Sequence, residues 1–107
     1  MIEINVARDF SMTPGGRYTK DGAFSGEEFR EKFLKPKFEM AIKNSEQLTI
    51  NLDGGYGYGS SFLEESFGGL ARQLGDRRLL NIMIISEEEP DLVERINEYI
   101  RNGLEGR

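Results

Sequence analysis

Leu48-Thr49-Ile50-Asn51-Leu52-Asp53-Gly54-Gly55-Tyr56-Gly57-Tyr58-Gly59-Ser60-Ser61 is the stretch that decides the fold. Its first five residues alternate apolar and polar, the period of a strand. Asp53 and the glycines that follow are turn formers, because glycine accepts the positive φ that other residues resist. Phe62, Leu63, Phe67, Leu70 and Leu74 then recur at helical spacing, and Gly75 stands where a left-handed helix cap belongs. A strand that runs through a glycine-rich turn into a helix is the unit from which parallel α/β sheets are built.

Working outward, Leu79 to Ile85 is almost wholly apolar and reads as a strand covered on both faces. Glu89-Pro90 opens a last helix whose apolar side is Leu92, Val93, Ile96, Tyr99 and Ile100, with Gly103 as its expected end. Upstream, Ile2, Ile4 and Val6 alternate with Glu3, Asn5 and Ala7 as a first strand. Pro14-Gly15-Gly16 suits a reversal, and a short strand over Arg17 to Lys20 would pair with the first as a hairpin. Ser25 and Glu28 form a Ser-x-x-Glu capping box, with Phe24 and Phe29 placed for a hydrophobic staple. The helix that follows carries Pro36, which is expected either to kink or to break it near Lys35. The order is β, short β, α, β, α, β, α: one α/β domain over residues 1–107, with a small, mixed, mainly parallel sheet of about four strands and about three helices.

Composition narrows the function. The 107 residues contain no cysteine and no histidine. Thiol nucleophiles, thiolate zinc sites, disulfides and every Ser-His-Asp arrangement are therefore excluded, so the chain reads as a non-enzyme without a cofactor. A net charge of −5 gives no basic face for nucleic acid. The longest apolar runs are too short to cross a bilayer and Met1 to Asp9 is no signal peptide, so a cytoplasmic location is expected. Glu87-Glu88-Glu89 reads as a solvated loop.

The turn is the candidate site. It lies at the carboxyl end of a strand, where open α/β sheets bind ligands, and it leads to a helix start whose amides and dipole favour anions. Its spacing is neither the dinucleotide pattern nor the Walker pattern. Tyr56 and Tyr58 flank Gly57, and exposed tyrosines make contacts at low entropic cost. The expected partner or ligand contacts are Asp53, Gly55, Tyr56, Gly57, Tyr58 and Gly59, together with Phe62 and Glu65 on the helix. Ser61 with Glu64 repeats the capping box, and Ser60 and Ser61 are also candidate phosphorylation sites, although a phosphate there would meet Glu64 and Glu65. Asp53, Glu64 and Glu65 could form a carboxylate pair or a magnesium site; Arg8, Arg17 and Arg30 could collect an anion, with ordinary ion pairing the simpler reading. Gly68 and Gly69 each cost a helix about 1 kcal/mol relative to alanine, which close approach to another backbone would explain.

Gly59-Ser60-Ser61-Phe62-Leu63-Glu64-Glu65-Ser66-Phe67-Gly68-Gly69-Leu70 resembles the signature of a bacterial STAS-like domain of unknown function. Ser25-Gly26-Glu27-Glu28-Phe29-Arg30 and Pro14-Gly15-Gly16-Arg17 resemble that family's pattern as well. The resemblance implies a fold related to anti-sigma-factor antagonists. In those antagonists a serine at this helix start is phosphorylated by a kinase of the histidine-kinase-like ATPase superfamily. Ser60 and Ser61 match that position, with Gly59 in place of the motif's aspartate and Phe62 in place of the following glycine. The resemblance implies a signalling module whose partner is such an ATPase or a transcription regulator; a small-molecule or nucleotide sensor built on the same turn is the alternative.

Overall fold

The structure is a computed structural model that describes residues 1–106. Three strands form its sheet: β1 (Ile2–Asn5), β2 (Leu48–Asn51) and β3 (Met83–Ile85). They lie in the order β1-β2-β3 and every pair is parallel. Ile4, Ile50 and Ile84 stand side by side in register and are all buried. With strands in sequential order and right-handed crossovers, both connections fall on one face of the sheet. The helices cover that face, and the row Glu3, Thr49, Met83 lies on the other.

Four helices accompany the strands. α1 (Val6–Asp9) is a single turn capped by Asn5, whose side chain accepts from the Arg8 amide at 2.9 Å. α2 spans 26–44 as Gly26–Phe29, a wide π turn at Arg30–Leu34, and Lys35–Asn44. α3 spans 60–74 in the same manner, as Ser60–Leu63, a π turn at Glu64–Gly68, and Gly69–Leu74. α4 is Asp91–Glu105. Pro36 neither breaks nor ends α2. The Lys35 amide reaches back to Arg30 O across the π turn, which ends just ahead of the proline, and the helix continues through Pro36 to Asn44.

Three expectations are corrected here. The strand over Arg17 to Lys20 does not form, so the sheet has three strands rather than about four and none is antiparallel. The carbonyls of Gly16 and Arg17 accept the amides of Gly26 and Glu27 at the start of α2, at 2.9 and 3.0 Å. A backbone engaged by a helix end cannot also pair with β1, and Thr19–Asp21 closes into a 3₁₀ turn instead. The apolar run from Leu79 is strand only from Met83, because Asp76 accepts from the Arg78 amide and starts a 3₁₀ turn over Arg77–Asn81. Gly103 lies within α4 rather than at its end. At Ser25 the cap forms: its hydroxyl accepts from the Glu28 amide, while the Glu28 carboxylate takes the amide of Phe24. Phe10 stands between the two staple rings, 5.5 Å from Phe24 and 5.2 Å from Phe29.

Candidate functional site

At the end of β2, Asn51 accepts the Asp53 amide at 2.9 Å and turns the chain. Both carboxylate oxygens of Asp53 then accept backbone amides from the loop after β3, those of Glu87 and Glu88, each at 3.0 Å. Glu88 returns the bond by accepting from the Gly54 amide at 2.8 Å. Asp53 and the acidic run thus clamp the ends of two neighbouring strands together. Gly54 and Gly57 have φ of 101° and 122°, a region that side chains resist. Gly55 meets a different constraint: a Cβ there would stand 3.2 Å from Met12 O. That same carbonyl accepts the Tyr56 amide, so the loop after α1 is fastened to the turn.

The two tyrosines part company. Tyr56 is 81% exposed and projects from the tip. Tyr58 folds back, donates its hydroxyl to Leu52 O at 2.7 Å and packs beside Phe62. Burial, with Asp53, Glu88 and Glu89 nearby, pushes its pKa up to about 12. Phe62, expected among the contact residues, is only 1% exposed and belongs to an aromatic cluster with Phe10 and Phe29.

Gly59 is the N-cap of α3, and no side chain caps the helix. Ser60 and Ser61 occupy its first turn and are exposed. The Ser61–Glu64 box therefore does not form. Glu64 is held instead by Arg72 at 2.5 Å and by Arg17 at 2.6 Å, and these guanidiniums keep its carboxyl below the usual range against the opposing effect of burial. Glu65, also expected as a contact, is 7% exposed and pairs with Arg30 and with Arg17. Arg17 therefore ties the loop to both glutamates, and Arg30 holds Glu65 alone from the π turn of α2. Arg8 stays apart, on Asp9. Asp53 is engaged by amides and the two glutamates by arginines, so the three carboxylates do not assemble. Among the described residues no cluster of Asp or Glu could hold a metal.

Gly68 and Gly69 owe their place to this cluster and to α4. A Cβ on Gly68 would collide with the Glu64 carboxylate and stand 3.2 Å from Tyr99 O. One on Gly69 would lie 2.8 Å from the Arg30 guanidinium and 3.0 Å from Glu65. The close approach expected of this pair is real, and half of it serves ion pairs rather than backbone. Two partners had no signal in the sequence: Arg72, one turn beyond the glycines, and the Met12 carbonyl.

A parallel sheet with a helix after each strand, and a loop site where the central strand ends, defines a small α/β domain of STAS-like architecture. Residues 25–92 match the model of a family described as a STAS-like domain of unknown function. That match takes in 68 of the 107 residues, and the chain belongs to this family. Comparison with curated proteins and with solved structures finds no significant match. Among the described residues no helix is long and apolar enough to cross a membrane.

Proposed function

We propose that this chain is a non-enzymatic, cytoplasmic regulatory module that binds another protein through the tip of the turn and the first turn of α3. The observation that carries the reading is the placement of exposed Ser60 and Ser61 on an uncapped helix start, directly after Gly59 and close in sequence to the exposed ring of Tyr56. A phosphate on either serine would gain from the α3 amides and dipole. The repulsion that Glu64 and Glu65 suggest is reduced, since arginines already neutralise both. The partner under this reading is a histidine-kinase-like ATPase or a transcription regulator. A ligand sensor at the turn has less support, because a groove of about 560 Å³ opens at the opposite end of β2, beside Phe38, Gln47 and Ile82.

The test is affinity capture with phosphosite mapping of the bait. Tyr56→Ala and the double change Ser60→Ala/Ser61→Ala are expected to weaken a captured partner about tenfold, the loss of an interface anchor. A partner bound equally by both variants and wild type would show that contact is made elsewhere.

A further inference from the structure

One face of the sheet carries no helix. Ile4, Ile50 and Ile84 lie under the helices, whereas Glu3, Thr49 and Met83, followed by Asn5, Asn51 and Ile85, form the opposite face. Met83 is 51% exposed. Met1 is exposed too, and its sulfur accepts from the Thr49 hydroxyl at 3.5 Å, which lays the methionine across the central strand and leaves Thr49 itself only 2% exposed, so the accessible apolar surface here is that of Met1 and Met83. Parallel sheets are ordinarily covered on both faces; on this one Glu3, Asn5, Thr49 and Asn51 are polar, and the apolar residues, Met83 and Ile85, lie together on β3.

We propose that this open face seats an amphipathic helix with basic flanks, supplied by another protein. Size is the first argument. Three strands about 4.8 Å apart and about 13 Å long make a platform close to the roughly 10 Å width of one helix. A face-to-face dimer would need about 800 Å² from each copy, several times what the platform offers. Chemistry is the second: Met1, Met83 and Ile85 give an apolar strip, and methionine adapts to varied partners. Charge is the third. Within the three strands the only charged residue is Glu3. No lysine or arginine occurs between Lys43 and Arg72, or between Arg78 and Arg95. Those two spans contain β2, β3 and the acids Asp53, Glu87, Glu88 and Glu89 at the carboxyl ends of the strands, while Glu46 at the other end is held by the Met1 ammonium at 3.1 Å. Arg8 and Arg78, which flank the sheet, are tied to Asp9 and Asp76. A second copy would bring the same acids against these, whereas lysines or arginines flanking an apolar stripe complement them.

The experiment titrates isotope-labelled protein with a 14-residue peptide of leucine and lysine patterned as an amphipathic helix, followed by NMR. The amides of Thr49, Met83 and Ile85 and the methyls of Met1 and Met83 are expected to shift. A peptide of the same pattern with glutamate in place of lysine is expected to leave them still. Met83→Lys should weaken binding about tenfold and Glu3→Lys about threefold, with the circular dichroism unchanged. Glu98→Lys, the same charge change on the exposed side of α4, should alter affinity by less than about twofold. Three results overturn the proposal: shifts centred on Tyr56 to Ser61, equal losses for Met83→Lys and Glu98→Lys, or a dimer in sedimentation that Met83→Lys abolishes. Because Tyr56, Ser60 and Ser61 lie off this face, failure here leaves the reading of the turn standing.

Discussion

Gly57 and Gly59, in the turn, face open space, while Gly68, Gly69 and Gly103 are enclosed on every side that a methyl group would occupy. The first two draw the eye because they are clustered with tyrosines in a loop. The other three sit inside helices, where glycine is a poor choice by propensity. In the turn, glycine lets the backbone bend; in the α3–α4 seam it lets two helices touch and leaves room for two carboxylates. Glycine density in a sequence thus marks freedom, and glycine against propensity marks contact. For this chain the contact glycines carry the stability and the loop glycines carry the shape of the candidate site.

The hardest test of that contrast is Gly103→Ala. Its Cβ would stand 2.5 Å from Gly68 O and 2.8 Å from the Ala71 Cβ, so the obstacle is backbone and cannot rotate away. Alanine returns about 1 kcal/mol of helix propensity, but forcing the helices apart costs about 3 kcal/mol. A net loss of about 2 kcal/mol is expected, seen as a fall of roughly 10 °C in Tm by calorimetry. An unchanged Tm would mean that the seam is looser than the structure has it, and the contrast would fail.

The carboxylates housed by the seam give a smaller, pH-dependent effect. Arg72 and Arg17 hold Glu64 below its ordinary pKa of 4.5. A carboxyl lowered in the folded state contributes stability that is complete above 4.5 and is lost as pH falls through the lower folded value. Asp9, Glu31 and Asp76 are lowered in the same direction by Arg8, Arg30 and Arg78. Urea midpoints should therefore drop between about pH 5 and pH 2 in the wild type. Glu64→Gln should be less stable at neutral pH and show a shallower drop. Parallel curves for the two proteins would place the acid sensitivity outside this cluster.

How much of this was legible in advance depended on how local each cause was. β2, the glycine turn and the apolar side of α3 follow from residues adjacent in sequence, and so does the cap at Ser25. Arg17 to Lys20 was misread because its carbonyls serve the amides of Gly26 and Glu27, a pairing no periodicity announces. Ser61 and Glu64 satisfy the spacing of a capping box, yet Arg17 and Arg72 take the carboxylate from outside the motif. Gly103 has the signature of a helix end, and only the position of Gly68 across the seam makes it an interior residue. At the site, the exposure of Tyr56, Ser60 and Ser61 fits what a loop and helix start suggest. Tyr58, Phe62 and Glu65 turn inward because Leu52 O, the phenylalanine cluster and two arginines await them.

The gentlest test concerns Gly59, where the turn becomes α3. Its φ of −74° and ψ of 148° suit any residue, nothing lies within 4 Å of a Cβ there, and the helix has no side-chain cap. A serine at an N-cap accepts from an amide two or three residues on, and it is better than glycine by a few tenths of a kcal/mol. Gly59→Ser should therefore raise Tm by about 2 °C. Gly57→Ser makes the matched control: the space is equally open, but φ is 122°, so backbone strain of about 1 kcal/mol should lower Tm instead. Opposite signs at two glycines two residues apart would show that conformation, not room, governs the turn. If Gly59→Ser also lowered Tm, the start of α3 would be more closely packed than Gly68 and Gly103 leave the rest of it, and the division between loop and contact glycines would have to be redrawn at that residue.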